Sequence, residues 1–299
     1  MSAHCAGRTI LVTGATGQVG FELLRTLQGL GRIVALDRTA LDLSNFDQIR
    51  DVVCEIRPTL IVNSAGYTAV DKAESEFDLA MRINGEAPGV LAQEAKRLGA
   101  ALIHYSTDYV FSGEKDGAYV EDDQTEPQNV YGRSKLAGEQ AIAASGADHL
   151  IFRTSWVYGT RGRNFLRTMM RLGSEQRELK VVSDQVGAPT WCNTIAMLTA
   201  HAITQVFNAA DRAQWWRERS GIYHLTAEGA TSWHGFASAI FDCVNSTEPP
   251  NVIPIPTSEF PTPAKRPLNS RMSNAKLERL FGLRAPRWDE ALRLCMETV

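Results

Sequence analysis

The chain has 299 residues, of which 44% are hydrophobic and 22% are charged, the composition of an ordinary globular protein. Thirty-one basic and 34 acidic residues give a formal net charge of −3, so no global positive charge attracts nucleic acid or an anionic membrane. The sequence has no apolar run of about 18 residues to span a bilayer, and its first eight residues lack the apolar stretch of a signal peptide. We therefore expect a cytoplasmic protein with no nucleic-acid partner and no membrane partner.

Short β-rich runs alternate with amphipathic segments in the first half of the chain, as in βαβ units around a parallel sheet. The pattern predicts strands at 9–13, 33–37, 60–64, 101–106 and 150–153, and helices at 18–30, 46–56, 76–98 and 130–144. Right-handed crossovers between such units produce a doubly wound sheet. The predicted fold class is therefore α/β, with a doubly wound parallel sheet of the Rossmann type.

The alternation loosens after about residue 155. Helices are predicted at 165–176, 194–206 and 233–244, and a strand at 222–226, before a proline-rich stretch at 249–267. We expect residues 1–158 to form a dinucleotide-binding domain to which residues of roughly 180–230 return. Residues 159–299 would mainly form a smaller α/β substrate-binding lobe. The polar residues 208–220 are interpreted as a surface insertion.

A glycine motif follows the first strand and opens the first helix, the context that a dinucleotide fingerprint requires. Gly14 allows a tight turn, Gly17 lets the backbone approach a pyrophosphate, and Gly20 lets the helix pack close to the sheet. Gln18 and Val19 stand at the helix start, where free N–H groups and the helix dipole favour a diphosphate. The motif therefore predicts binding of NADH or NADPH.

Further candidate cofactor residues follow the second and third predicted strands. Asp37 is placed to accept hydrogen bonds from the adenosine ribose and so favours NADH, whereas Arg38 could pair with the 2′-phosphate of NADPH. The choice between the two coenzymes stays open. Residues that could cover the adenine, or let the cofactor pass the end of the third strand, are Asp42, Leu43, Ser64, Ala65, Gly66, Tyr67 and Thr68.

Tyr131 and Lys135 are four residues apart and so share one face of a helix that begins after Pro127. Reduction of a ketone needs a proton donor for the developing alkoxide, and a nearby ammonium would lower the pKa of a tyrosine toward neutrality. A hydroxyl from Ser106 or Thr107, at the end of the fourth strand, could polarise the substrate carbonyl. Asp108 could accept a hydrogen bond from a sugar hydroxyl.

Together the glycine motif, the run at 106–111 and the Tyr-x-x-x-Lys pair resemble the extended short-chain dehydrogenases. Further runs, at 62–63, 67–74, 152–158, 184–190, 261–267 and 269–271, are similar to the dTDP-4-dehydrorhamnose reductase family within that group. The resemblance extends from about residue 9 to the C-terminus. It implies hydride transfer from NADPH or NADH to C4 of a nucleotide-activated 4-keto sugar, for cell-surface polysaccharide synthesis.

The resemblance also implies roles for individual residues. Thr107, Tyr131 and Lys135 would be the catalytic trio, and Tyr105 would lie along the cofactor. Residues expected to bind the nucleotide sugar are Ser106, Thr107, Asp108, Trp156, Arg266 and Arg271, where the indole would offer an apolar face and the guanidinium groups would bind the diphosphate.

A metal site is not predicted within one chain. The five cysteines are scattered and odd in number, which favours reduced thiols, and most of the histidines have no metal-ligand spacing. His104 is expected to be a core residue with its hydrogen bonds satisfied. The resemblance allows a homodimer joined by a divalent cation at Glu22, but Asn193 stands where a second acidic ligand is expected, which argues against that mode.

Two alternatives remain beside the reductase. Epimerases and dehydratases of the same superfamily use the same glycine motif and Tyr/Lys pair, although dehydratases commonly carry an Asp-Glu pair where this chain has Asp108-Tyr109. A non-catalytic, dinucleotide-bound regulatory subunit is the second alternative. The presence of all three catalytic residue types argues against it.

Overall fold

The computed structural model describes residues 7–244 and 248–298. Its first half alternates strands and helices: β1 (Thr9–Thr13), α1 (Gln18–Thr26), β2 (Arg32–Leu36), α2 (Phe46–Ile56), β3 (Leu60–Asn63), α3 (Val70–Ala73), α4 (Phe77–Ala80), α5 (Ala87–Leu98), β4 (Ala101–Thr107), α6 (Val130–Ser145) and β5 (His149–Thr154). A π-helical segment, Met81–Glu86, joins α4 to α5, and a 3₁₀ turn, Asp108–Val110, follows β4.

The second half is less regular. Its elements are β6 (Val157–Tyr158), α7 (Phe165–Glu175), β7 (Glu178–Val182), β8 (Val186–Gly187), β9 (Thr190–Trp191), α8 (Cys192–Asn208), α9 (Arg212–Arg219), β10 (Gly221–His224), β11 (Thr231–Ser232), α10 (Trp233–Cys243), β12 (Asn251–Ile255), α11 (Ala275–Phe281) and α12 (Trp288–Met296), with a 3₁₀ turn at Thr257–Glu259. In the described ranges no helix is both long and apolar enough to cross a membrane.

Six parallel strands form the central sheet in the order β10-β5-β4-β3-β1-β2. Every residue of β3 and β4 is buried, because helices cover both faces of the sheet. The predicted doubly wound α/β fold is confirmed. The strand order reverses between β1 and β3, and ligands of open α/β sheets bind beyond the carboxyl ends of the strands at such a point.

Three large apolar clusters build most of the core in the described part of the chain. One packs α1, α8 and α11 on one face of the sheet, and a second packs α2 and α5 on the other. The third joins α7, α10 and α12 around β7, away from the central sheet. The chain therefore returns to the first unit through α8, α9 and β10, which supports the two-lobe division that we propose.

Residues 208–220 lie mostly at the surface, as their polarity suggested, but they include a helix that is anchored to the core. Asp211 accepts from the backbone N–H of Gln214 and caps α9, which places Trp215 and Trp216 against the core. The Trp215 ring packs edge-on against Phe281 of α11. The polarity of the sequence did not indicate this anchoring, because the charged residues of the short helix outnumber the two buried indoles.

The predicted helix at 76–98 divides into α4, the π-helical segment and α5. In the π-helical segment the Asn84 side chain accepts from the backbone N–H of Tyr67 at 2.8 Å and donates to the carbonyl of Tyr67 at 2.9 Å. It also donates to the Ser134 hydroxyl at 3.0 Å. The irregular turn thus lets one side chain connect the end of β3 to the helix that carries Tyr131 and Lys135.

Candidate active site

The glycine motif after β1 forms a closely packed turn. Gly14 has φ of +67°, and a Cβ atom there would lie 2.8 Å from the Ala65 backbone. A Cβ atom on Gly20 would lie 2.1 Å from the Gly14 carbonyl oxygen, so both positions exclude a side chain. Gly17 is the N-cap residue of α1, and no side chain caps this helix start. The turn therefore presents backbone N–H groups without obstruction and fits the diphosphate of a dinucleotide.

A loop from the second half of the chain packs over the start of α1. The Gln18 side-chain oxygen accepts a hydrogen bond from the Asn164 amide at 2.7 Å, and Asn164 also donates to the Gly159 carbonyl at 2.8 Å. The neighbouring Val19 packs against the first apolar cluster. Gln18 is thus held by the loop that precedes α7, a relationship that no local motif indicated.

Candidate adenosine-binding residues follow β2. One Asp37 oxygen accepts from the Thr39 hydroxyl at 2.6 Å, and this bond, with backbone N–H groups of Thr39 and Ala40, lowers the pKa of Asp37. Arg38 is exposed. Asp42 accepts from the backbone and hydroxyl of Ser44, which lowers its pKa as well. Leu43 is buried in the second apolar cluster.

Small and polar residues after β3 pack against the glycine turn. The Ser64 hydroxyl donates to the Thr13 carbonyl at 2.6 Å, and the Ala65 N–H donates to the Thr13 hydroxyl at 3.3 Å. The Tyr67 hydroxyl donates to Glu76 at 2.6 Å. The side chains of Ser64 and Tyr67 therefore fix this turn, while Gly66 and Thr68 are exposed at its surface.

The two motifs that the sequence predicts to be catalytic meet at the carboxyl end of β4. Thr107 ends the strand, and its hydroxyl lies within hydrogen-bonding reach of the Tyr131 phenol on the first turn of α6. The Thr107 hydroxyl also donates to Asp108 at 3.0 Å. A strand end and a helix start thus bring together a hydroxyl, a phenol and a carboxyl group from separate parts of the sequence.

Lys135 lies one turn further along α6 and is buried. Its Nζ donates to the Tyr105 carbonyl oxygen at 2.6 Å and lies 3.1 Å from His104 Nε2. Burial lowers the pKa of Lys135 to about 8, and the Glu139 carboxylate acts in the opposite direction. The ammonium group is therefore held between α6 and the last residues of β4.

Tyr131 does not have the lowered pKa that its spacing from Lys135 suggested. Burial, and then the Asp108 charge, raise the pKa of Tyr131 to about 12, and the hydrogen bond with Thr107 acts in the opposite direction. The described contacts of the Lys135 ammonium are with Tyr105 and His104, so its stabilisation of a phenolate on Tyr131 stays a prediction. Tyr131 therefore holds its proton here at neutral pH.

Tyr105 contributes its backbone to the site. Its hydroxyl shares a 2.8 Å hydrogen bond with Thr199 of α8, and its ring belongs to the first apolar cluster. The carbonyl group of Tyr105 is the part that holds Lys135. A contact between its ring and the cofactor stays a prediction.

Buried polar atoms beside Thr107 form a potential sugar site. Among the described residues, Ser106 Oγ, Asp108 Oδ2 and Thr154 Oγ1 are buried without a hydrogen-bond partner. Thr107 and Thr154 are neighbours across β4 and β5. Burial raises the pKa of Asp108 to about 6, although Ser270 and Thr107 donate hydrogen bonds that lower it. Such buried groups fit a ligand that carries several hydroxyls.

Trp156 follows β5 in a backbone conformation that side chains rarely adopt, with φ of +48°. Its indole stacks on Trp233 of α10 with ring centroids 3.5 Å apart, and it packs against Gly187. One face of the Trp156 indole is therefore covered by the second indole. A contact between the remaining partly exposed edge and the sugar stays a prediction.

The two predicted diphosphate-binding arginines are held differently. Arg266 forms a 2.8 Å ion pair with Asp71, and its other terminal nitrogen, Nη1, is buried and unpaired within the described chain. The guanidinium lies 5.9 Å from the Tyr109 ring, which in turn packs edge-on against Tyr131. Arg271 instead donates to the Asn269 side chain at 2.8 Å. Of the two arginines, Arg266 is thus the one that these contacts connect to Tyr131.

Glu22 and Asn193, the positions considered for a shared cation, are joined by a hydrogen bond of 3.0 Å from the Asn193 amide. Across residues 7–244 and 248–298 no group of three or more His, Cys, Asp or Glu side chains is arranged to hold a metal ion. Of the cysteines, Cys5 lies outside the described residues and the other four are free thiols.

The chain is similar over nearly its whole length to proteins of one known family. A family model described as "RmlD substrate binding domain" matches residues 8–299. A curated dTDP-4-dehydrorhamnose reductase of Burkholderia thailandensis is 50% identical, with 96% of this chain and 97% of the relative covered. The enzyme of that name from Escherichia coli K12 is 45% identical, with 95% of each chain covered. The chain belongs to the dTDP-4-dehydrorhamnose reductase family.

A solved structure of this reductase family, from Bacillus anthracis in complex with NADP, superposes with a TM-score of 0.89. It is 38% identical to this chain, and the match covers 98% of this chain and 99% of that one. The resemblance inferred from the sequence motifs is therefore confirmed over nearly the whole chain. The roles of individual residues rest on the geometry described above and remain proposals.

Sequence reasoning missed several residues that the fold brings to the site. Asn129 caps α6, Asp71 pairs with Arg266, and Ser270 and Thr154 lie beside Asp108 or Thr107. His104 was expected to be a satisfied core residue, and its imidazole in fact contacts Lys135. The only signal for His104 was its place between apolar residues, three positions before Thr107.

Proposed function

We propose that this chain reduces the C4 keto group of dTDP-4-dehydro-L-rhamnose to give dTDP-L-rhamnose for cell-surface polysaccharides. The observation that carries the proposal is the meeting of Thr107, Tyr131 and Lys135 at the end of β4, in a chain of the dTDP-4-dehydrorhamnose reductase family. The enzyme is an oxidoreductase that uses NADPH or NADH. Both the coenzyme and the nucleotide sugar are cytoplasmic metabolites, and the proposal places the chain there.

The residues that would hold the coenzyme lie along the carboxyl ends of β1 to β4. The turn of Gly14, Gly17 and Gly20 fits the diphosphate, because any Cβ atom at Gly14 or Gly20 would collide with backbone. Asp37 and Arg38 would face the adenosine ribose. When bound, the reduced nicotinamide supplies the hydride.

The chain's own residues then manage the proton and the developing charge. Thr107 would turn its hydroxyl hydrogen from Asp108 to the keto oxygen, and Tyr131 would give that oxygen its proton as the carbonyl double bond becomes a single bond. Lys135 provides a positive charge that stabilises the phenolate left on Tyr131. Because the raised pKa of Tyr131 keeps it protonated at neutral pH, the donor is in the correct state before reaction.

Substrate recognition is assigned to buried polar groups and to the second lobe. Ser106, Asp108 and Thr154 would accept or donate hydrogen bonds to the sugar hydroxyls. The unpaired nitrogen of Arg266 would bind the nucleotide diphosphate, and Arg271 would extend this positive region. Trp156 would contribute the exposed edge of its indole.

The direct test mixes the purified protein with dTDP-4-dehydro-L-rhamnose and follows the absorbance of NADPH and NADH in parallel. Oxidation of either coenzyme, with formation of dTDP-L-rhamnose, is the expected result. Dinucleotide binding without oxidation would contradict the proposal and favour the regulatory-subunit alternative. Turnover of another nucleotide sugar instead would contradict the assigned substrate.

A homodimer that forms without a divalent cation is part of this proposal. The Glu22 carboxylate already accepts a hydrogen bond from Asn193, where a second acidic ligand would be needed for a shared cation. Light scattering with and without Mg²⁺ would measure the mass. A dimer that requires Mg²⁺ would contradict this view.

A further inference from the structure

A buried row of polar side chains crosses the central sheet beneath the active site. Thr13, Asn63 and His104 are register neighbours on β1, β3 and β4. The Thr13 hydroxyl lies 2.6 Å from the Asn63 amide oxygen, and the Asn63 amide nitrogen lies 3.0 Å from His104 Nδ1. His104 Nε2 lies 3.1 Å from Nζ of Lys135. The row therefore connects the residue before the glycine turn to the catalytic lysine.

The hydrogen-bonding capacity of His104 restricts how this row can work. Burial, and then the Lys135 charge, hold the pKa of His104 well below its ordinary value, so the imidazole is neutral. A neutral imidazole has one acceptor nitrogen and one N–H donor. It cannot accept from both the Lys135 ammonium and the Asn63 NH₂ group. A cationic Lys135 takes the Nε2 lone pair, so Nδ1 carries the hydrogen.

That assignment sets the orientation of the Asn63 amide. A donating Nδ1–H needs the amide oxygen of Asn63 opposite it, which a 180° rotation of the amide supplies within the same volume. The Asn63 NH₂ group then faces the Thr13 hydroxyl, which has lone pairs to accept from it. In this arrangement Lys135 stays charged and both ring nitrogens of His104 have partners, while the Thr13 hydroxyl accepts from Asn63 instead of donating to it.

We propose that His104 is a positioning residue that accepts a hydrogen bond from the Lys135 ammonium through Nε2 and so directs the ammonium into the active site. Two of the three N–H groups of Lys135 are then used, one on the Tyr105 carbonyl and one on His104. The third is left for the phenol of Tyr131 or for the ribose of the coenzyme. The effect of this contact on catalysis rests on the proposed function, whereas the hydrogen bond itself does not.

The charged groups around Lys135 are placed so that the neutral His104 can accept from its ammonium group. Glu139, one turn further along α6, raises the pKa of Lys135, but this carboxylate is itself bound by Arg153 of β5 in a buried ion pair of 2.7 Å. From the 3₁₀ turn after β4, Asp108 faces Tyr131. His104 is thus the side chain of β4 that contacts the ammonium directly.

Two substitutions of His104 separate its two contacts. Glutamine places an amide near the position of Nε2 and can retain the contact with Lys135, whereas asparagine places it near Nδ1 and can retain only the contact with Asn63. We expect His104→Gln to keep kcat within about threefold of the wild type, and His104→Asn to lower kcat at least about tenfold. The alkaline limb of the kcat profile should move to lower pH in His104→Asn only, because its Lys135 loses an acceptor.

Equal losses in the two variants, or a larger loss in His104→Gln, would overturn the assignment to Lys135. Thermal unfolding of both variants measures whether either loss reflects folding. A loss of kcat in His104→Asn without movement of the alkaline limb would indicate a merely structural role and would also overturn the proposal.

A second measurement uses the wild-type protein and needs no turnover. In ¹⁵N-histidine-labelled protein without added ligand, the Nδ1 of His104 should carry the hydrogen and Nε2 should have the shift of an acceptor, with His104→Gln identifying the signal. The opposite tautomer would contradict the proposal. Because this result is independent of activity, its failure is distinguishable from the failure of the wild-type enzyme to reduce the nucleotide sugar.

Discussion

Asn129 links the start of the catalytic helix to the C-terminal part of the chain through Lys265. Its side-chain oxygen accepts from the Gly132 N–H at 2.8 Å and so caps α6, while its side-chain nitrogen donates to the Lys265 carbonyl, also at 2.8 Å. The next residue, Arg266, pairs with Asp71. The segment that carries Arg266 is thus fixed to the helix that carries Tyr131.

This link predicts separate effects on stability and on substrate affinity. Asn129→Ala should lower the free energy of unfolding by about 1 kcal/mol, since a helix cap is lost, and should raise KM for the nucleotide sugar several-fold. Asn129→Ser is the matched control, because serine caps helices well but is too short to reach Lys265. It should keep near wild-type stability while KM still rises. A wild-type KM in Asn129→Ser would contradict the role assigned to the Lys265 contact.

Tyr131→Phe tests the proton donor. The variant should fold and bind NADPH like the wild type, because only a hydroxyl is removed, while kcat falls by a factor on the order of a hundred or more. Tyr109→Phe removes a hydroxyl from the ring that packs edge-on against Tyr131 and serves as a matched control. Its kcat should change by less than about fivefold. Unchanged turnover in Tyr131→Phe would remove this tyrosine from the mechanism.

Asp108→Asn should change stability in a pH-dependent way. Burial raises the pKa of Asp108 to about 6 from an ordinary value of 3.8, so the folded state binds this proton more tightly than the unfolded state. The wild type therefore loses stability as pH rises from about 4 through 6. At pH 8 the variant should be more stable by up to about 3 kcal/mol, and the difference should vanish below about pH 4.

Denaturant unfolding at pH 8 and at pH 4 measures this difference. The same variant should have lower turnover, because an amide is a weaker acceptor for a sugar hydroxyl than a carboxylate is. Equal stability of the two proteins at pH 8 would show that ionisation of the buried Asp108 carboxyl group does not lower the free energy of unfolding.

Local pattern was sufficient for most of the fold. The helix predicted at 46–56 begins and ends as observed, because Asn45 caps it and its apolar residues are regularly spaced. The glycine turn and the Tyr131/Lys135 pair are also local signals, since their chemistry depends on neighbours within eight residues or fewer. The division of the helix at 76–98 was not predictable in this way. It depends on Asn84 finding Tyr67 and Ser134 in distant parts of the chain.

The candidate active site shows the same difference between local sequence signals and contacts that join distant segments. Sequence spacing indicated Thr107 and Tyr131, but the stacking of Trp156 on Trp233 and the approach of Ser270 to Asp108 join different lobes. His104 was recognised as a core residue, and its contact with Lys135 follows only from the packing of α6 on β4. Contacts between distant segments have no periodic or motif signature, so they required the structure.

Asp37 and Arg38 predict how coenzyme preference can be shifted. Asp37 is ionised, since hydrogen bonds from Thr39 and Ala40 lower its pKa, and a carboxylate repels the 2′-phosphate of NADPH but accepts from the free ribose hydroxyl of NADH. Asp37→Asn keeps an oxygen for the Thr39 contact and removes the charge. It should raise KM for NADH and lower KM for NADPH.

Arg38→Ala removes the cation that can pair with the 2′-phosphate, so it should raise KM for NADPH several-fold and leave KM for NADH unchanged. Steady-state kinetics with both coenzymes measures the two ratios. If both variants changed the two KM values in parallel, these residues would not face the adenosine ribose, and the coenzyme would have to be discriminated elsewhere.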